Sequence, residues 1–147
     1  KIRGNLELAI YRFRNFIFRV SASTKRKMIP GRYDANMNAL ENILSLSAEK
    51  NIQVLLYIPP LRDDYPRPYV PEEYSDFKET LISVSSKYSV NVFDFESVVP
   101  NELWGLKEST GVSNDTELDF MHFQAEGHKK LSNAIYRNLQ QIANLEN

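Results

Sequence analysis

The 147-residue sequence contains no cysteine, which excludes disulfides and thiolate metal ligands, although it does not fix the compartment. Histidine is nearly as scarce, with only His122 and His128, and tryptophan occurs once, as Trp104. No apolar run approaches the ~18 residues of a membrane span, and no secretory signal pattern is present. The sequence opens on Lys1 rather than Met, so we expect a piece of a longer protein whose targeting segment lies elsewhere. What is present suits one domain: 42% of residues are hydrophobic and 12% aromatic, enough for a buried core and too many for disorder.

The net charge of −1 conceals a division. Residues 1–27 carry eight cations against one anion, Glu7, whereas the remainder carries ten cations against eighteen anions. The basic segment therefore meets different surroundings from the rest. Within it, "NLELAIYRFRNFIFRV" (5–20) has Leu6, Ile10, Phe13, Ile17 and Val20 at helical steps, with Arg12, Arg14 and Arg19 mostly off that stripe. One reading is a packed helix with a solvated basic face. Another is an amphipathic element lying near an anionic membrane surface or a partner. Nucleic acid is not expected, because no recognition-helix or aromatic-basic sheet signature accompanies the charge.

After the connector "STKRKMIPGRYD" (23–34), a second helix is expected from Asp34 or Ala35 to Lys50, capped by Asp34 and burying Met37, Leu40, Ile43, Leu44 and Ala48. "NIQVLLYIPP" (51–60) reads as a strand covered on both faces, ended by Pro59-Pro60. The loop 59–74 holds five of the seven prolines and reads as a rigid rim. A third helix covers about 71–88 with Tyr74, Phe77, Leu81 and Val84 inward, and "SVNVFDF" (89–95) is a second buried strand. Residues 96–118 read as irregular, and a final helix runs from Ala125 or Glu126 to about Ala143. The alternation implies an α/β fold with a parallel sheet between helices. Loops leaving the carboxyl ends of both strands, at Pro59 and Glu96, then converge with the segment that carries the histidines.

That segment is "ELDFMHFQAEGHKKLSNAI" (117–135). His128 falls on the helical stripe of Leu131, Ile135, Leu139 and Ile142, and is read as a packed residue bonded to a backbone carbonyl. His122 precedes the helix among Phe120, Met121 and Phe123, where a polar side chain needs a reason. Asp119, three residues earlier, can accept a hydrogen bond from the imidazole, fix its tautomer and leave the other nitrogen free as a base. The plainer reading is that Asp119 caps a short turn beside a half-exposed His122. A metal site from Asp119, His122 and His128 is not expected, because a six-residue step does not align two histidines on one helix face.

The string Asp119-Phe-Met-His122-Phe, followed by Gly127-His128, Leu131 and Ile135, resembles the closing block of the SGNH (GDSL-like) hydrolase superfamily. "IQVLLYIPP" and "VNVFDFESVVP" resemble that family's last two strands, so the likeness covers about residues 34–143. It implies a three-layer α/β/α, flavodoxin-like domain with a parallel sheet, in which Asp119 and His122 belong to a Ser-His-Asp triad. The chain would divide into a basic amphipathic helix and connector (1–33) and the C-terminal part of such a domain (34–147). The family's Gly-Asp-Ser block and its Gly and Asn oxyanion blocks are absent; Ser113-Asn114-Asp115 is the nearest string and lacks the strand-to-helix context. The resemblance therefore implies either the C-terminal part of a longer serine esterase or O-acyltransferase, inactive alone and needing no cofactor, or a relative that lost its chemistry.

A narrower likeness to envelope proteins that partner membrane-bound O-acyltransferases, such as the teichoic-acid D-alanine transfer family, implies an extracytoplasmic location and acyl esters of envelope polysaccharide as substrates. Within the two loops, Tyr65, Tyr69 and Trp104 could present flat faces to sugar rings and Arg62 and Arg67 could meet anionic groups, or the aromatics could simply pin the loops. The alternative function is a non-catalytic polysaccharide-binding or adaptor module on a degenerate hydrolase scaffold. An incomplete sheet would also expose apolar edges and favour a homodimer.

Overall fold

The computed structural model describes residues 2–21, 24–108 and 116–144. It is a mixed α/β arrangement of four helices, a parallel pair of strands and an antiparallel pair. Helices α1 (Ile2–Ile17) and α2 (Pro30–Glu49) precede strand β1 (Leu56–Ile58). Helix α3 (Pro71–Ser86) then leads to β2 (Val92–Asp94), and a 3₁₀ turn (Asn101–Leu103) opens β3 (Trp104–Glu108). Strand β4 (Thr116–Phe123) and helix α4 (Ala125–Asn144) complete the order.

Helix starts are set by proline rather than by polar caps. Both α2 and α3 follow an extended residue, Ile29 or Val70, with no side-chain cap and a proline in the first turn. Proline fits there because its fixed φ is helical and its missing N–H would have had no partner. Helix α2 thus begins at Pro30 and not at Asp34, which lies inside it and caps nothing. Glu72 and Glu73 add negative charge to the first turn of α3, where the helix dipole favours it.

The ends of α1, α2 and α3 follow one scheme, and none of the three uses glycine. Arg19, Asn51 and Ser89 each adopt positive φ (50, 53 and 57°) just beyond α1, α2 and α3. After α2, the Ile52 N–H reaches Ser47 O at 2.8 Å and the Asn51 N–H reaches Ala48 O at 3.2 Å. These paired bonds satisfy carbonyls that the helix leaves orphaned. Each non-glycine residue held there costs on the order of 1 kcal/mol.

Strands β1 and β2 are parallel, with Leu56, Tyr57 and Ile58 opposite Val92, Phe93 and Asp94. The buried apolar residues are Leu44, Ile58, Leu81, Phe95, Val99 and Trp104. Leu44 and Leu81 lie on α2 and α3, which pack on each other with α3 against β2, and the others lie on β1 or where the chain runs on from the carboxyl edge of the pair. Each strand is far shorter than the apolar run that contains it, because each has a single partner among the described residues. Tyr57, expected to be covered, is 37% exposed.

Two further expectations give way. Residues 96–118, read as irregular, contain β3 and the beginning of β4, an antiparallel pair whose connecting residues 109–115 lie outside the described ones, as does Ser113-Asn114-Asp115. The stripe of α1 is not packed: Leu6, Ile10, Phe13 and Ile17 are 55–64% exposed. Ile43 on α2, at 58%, likewise faces outward rather than into the core.

Candidate active site

The two loops that leave the carboxyl ends of β1 and β2 run side by side. The Phe95 N–H donates to Ile58 O and the Leu61 N–H to Glu96 O, each at 3.0 Å. The Asp63 N–H donates to the Asn101 amide oxygen, and the Asn101 amide donates back to the Asp63 carboxylate. Arg62, only 8% exposed, links this edge to the antiparallel pair through a 3.0 Å bond from Nη1 to Gly105 O on β3.

Opposite Gly105 the ladder is irregular. Trp104 pairs with Phe123 and Leu106 with Leu118, so one residue of β3 faces four of β4, residues 119–122. The excess leaves the plane of the pair as a bulge, a device that re-aims side chains. Asp119 and His122 are its two ends, so both lie within a strand.

Asp119 explains why the bulge forms. Its Oδ1 accepts the N–H groups of Met121 at 2.8 Å and His122 at 3.1 Å, replacing the ladder bonds that the excess residues lose. Its Oδ2 lies 2.8 Å from His122 Nδ1. Burial works against the charge on this carboxylate, but the Met121 N–H, the His122 ring and the His122 N–H together hold its pKa below the ordinary 3.8. The two partners differ sharply in exposure: the Asp119 side chain is 8% accessible and the His122 side chain 80%. No hydrogen bond engages His122 Nε2 among the described residues.

Such an arrangement orients an imidazole, fixes the proton on Nδ1 and presents Nε2 as an acceptor for a hydroxyl proton. Both readings of Asp119, turn cap and histidine orienter, hold at once, because its two oxygens divide the work.

The closing helix docks beside the bulge through a glycine. Gly127 is buried, and a Cβ there would lie 2.9 Å from Phe123 Cδ2 and 3.0 Å from Val99 Cγ1. Only a bare Cα lets α4 approach so closely. His128, expected to be packed, is exposed, with its ring 4.4 Å from that of Phe123. Residue 127 takes the buried position on this turn instead.

The five loop residues expected at a substrate groove separate into different roles. Trp104 is 5% exposed; its indole N–H donates to Val99 O at 3.2 Å and its ring meets Phe123 edge-on at 5.3 Å. It is a core residue with no face for a sugar ring, since hydrogen bonding its one polar atom let it be buried whole. Arg62 is held by Asp64, whose carboxylate accepts from Nε at 2.6 Å and Nη2 at 2.9 Å. That bond, and the charges of Asp64, Tyr65 and Asp119, raise its pKa against the opposing effect of burial. Arg67 donates to Glu96 Oε2 at 2.9 Å. Tyr69 stacks on Tyr74 with centroids 5.3 Å apart. Tyr65, 50% exposed, is the one of the three aromatics with a largely open face.

A second polar cluster at the same edge had no counterpart in the sequence pattern. Glu96 accepts the Tyr74 hydroxyl at 2.6 Å, the Lys78 ammonium at 3.0 Å and the Arg67 guanidinium. Burial pushes the Tyr74 hydroxyl well above its ordinary 10.0, and the Glu96 carboxylate pushes it the same way. Burial alone would raise the pKa of Glu96, but these donors bring it below 4.5. Its position just past β2 was the available signal; nothing in the spacing links residue 96 to residues 67, 74 and 78.

No protein-family model, no curated protein and no solved structure matches the chain.

Proposed function

We propose that this chain is the C-terminal part of a serine esterase or O-acyltransferase of SGNH type, and that it supplies the Asp-His half of a Ser-His-Asp triad. The observation that carries the reading is the 2.8 Å bond from His122 Nδ1 to a buried, doubly anchored Asp119, with the rest of the imidazole open to solvent. An exposed histidine gains little stability from a carboxylate held this rigidly. Preorganisation is what a general base needs.

In this reading His122 Nε2 takes the proton from a serine hydroxyl on polypeptide outside the chain and returns it to the leaving alcohol. Asp119 keeps the ring oriented and stabilises the imidazolium. Strands β1 and β2 are then a fragment of a larger parallel sheet in a three-layer domain. Acyl esters of envelope polysaccharide are the proposed substrates, with Tyr65 at the rim of the groove. A membrane-bound acyltransferase partner and an extracytoplasmic location belong to the same proposal.

The rival binding-module reading is weakened by the aromatics, since Trp104 is buried and Tyr69 lies against Tyr74. The test compares nitrophenyl acetate hydrolysis by this chain and by the product of its whole open reading frame. The longer product is expected to turn over and to lose about 10³–10⁴-fold in kcat on His122→Ala. The 147-residue chain is expected to release no burst of nitrophenol. A longer product without a serine block, or a His122-dependent burst from the short chain, would sink the proposal.

A further inference from the structure

Helix α1 is amphipathic in the opposite sense to a packed helix. Leu6, Ile10, Phe13, Phe16 and Ile17 are 55–64% exposed, and Phe18 beyond them is 70% exposed. At about 100° per residue the first five, with Ala9, occupy one arc of roughly 120°. Among the described side chains, what the helix buries is polar: Asn15 is 3% exposed and Arg12 is half-buried. Arg12 borders the arc on one side and Arg14 on the other. Arg14 remains at the surface, with its guanidinium 4.1 Å over the Tyr11 ring and bonded to Asn15 Oδ1.

A contiguous apolar stripe of this kind marks a docking surface, and the charge around it selects the occupant. A second copy meeting this one stripe to stripe would set the basic segments against each other, eight cations and one anion on each side. A layer of acyl chains beneath anionic headgroups suits both features: the stripe enters the apolar boundary while the flanking arginines reach phosphates. The remainder of the chain, with eighteen anions against ten cations, is repelled by the same surface, which fixes the orientation of the domain.

We propose that α1 lies in the plane of an anionic lipid surface, apolar stripe inward, and holds the domain at that surface. The proposal is independent of the hydrolase reading, since no residue of the Asp119–His122 bulge takes part.

The test is co-sedimentation of the 147-residue chain with vesicles of phosphatidylcholine alone or with one-third phosphatidylglycerol, at low and high salt. Binding is expected to the anionic vesicles only and to weaken with salt. Arg12→Gln with Arg14→Gln is expected to reduce partitioning about 30-fold, at roughly fivefold per cation. Ile10→Asn with Phe13→Asn is expected to abolish it while leaving the far-ultraviolet circular dichroism of the domain in place. Equal binding to neutral vesicles, no binding to either, or binding that survives the Ile10/Phe13 change would overturn the proposal. So would a dimer in solution that the same change disperses, because a second copy would then be the occupant.

Discussion

Two carboxylates sit at the carboxyl edge of the parallel pair, Asp119 on the bulge of β4 and Glu96 just past β2. Both are nearly buried, both are held below their ordinary pKa, and each accepts three hydrogen bonds. By electrostatics alone they are the same kind of site. They differ in what the partners leave over. Every partner of Glu96 is a side chain spent on the contact, and Lys78 is shared with Asp94 as well. Asp119 gives one oxygen to the backbone and the other to an imidazole whose second nitrogen has no partner among the described residues. Perturbed titration marks both; an oriented, unsatisfied group at the surface distinguishes the one suited to chemistry.

That contrast can be broken by mutation. The largest effect is expected for Glu96→Ala, which strands a tyrosine hydroxyl, an ammonium and a guanidinium; urea denaturation should register a loss of about 3 kcal/mol. A loss within error would mean that this cluster is not structural. Asp119→Ala should cost about 2 kcal/mol, because two backbone N–H groups lose their acceptor. Asp119→Asn should recover most of that, since an amide oxygen can still accept them; equal losses would show that the charge, not the turn, matters.

Tyr74→Phe is expected to cost about 1.5 kcal/mol at neutral pH. The sign of its pH dependence follows from the raised pKa: the contribution is complete below 10.0 and declines as pH rises beyond it. The variant should therefore lose less stability than the parent on going from pH 9 to about pH 11, by thermal melts across that range. The carboxylates behave in the opposite direction. Glu96 and Asp119 stabilise fully above their ordinary values of 4.5 and 3.8, and that support fades as pH falls through their lowered ones. The smallest effect belongs to His122→Ala, expected within about 0.5 kcal/mol in the same melts because the ring is exposed. A larger cost would make His122 a structural partner of Asp119 and remove the asymmetry between the clusters.

Much of the frame was legible. The four helices, the two parallel strand segments and the approach of their loops to Asp119 and His122 follow from periodicity and from prolines that punctuate the chain, although the strands are less covered than their apolar runs imply. The errors came where contact outweighs local pattern. Trp104 looked like a surface aromatic because nothing local announces that Val99 O will take its indole N–H. His128 looked packed because its spacing is right, yet Gly127 next to it has no Cβ and takes the buried place. The stripe of α1 looked like a core face, and periodicity cannot say whether anything covers it.

Composition and spacing alone place an Asp three residues before a His, ahead of an amphipathic helix and beyond two apolar strands. That this pair forms the ends of a bulge emerges only when β3 and β4 meet. The pairings Trp104–Phe123 and Leu106–Leu118 leave four residues opposite one, and that mismatch is a property of two strands together. The physical reason is register: a carboxylate three residues from an imidazole is common, but the inward turn of one and the outward turn of the other come from a ladder that neither residue encodes.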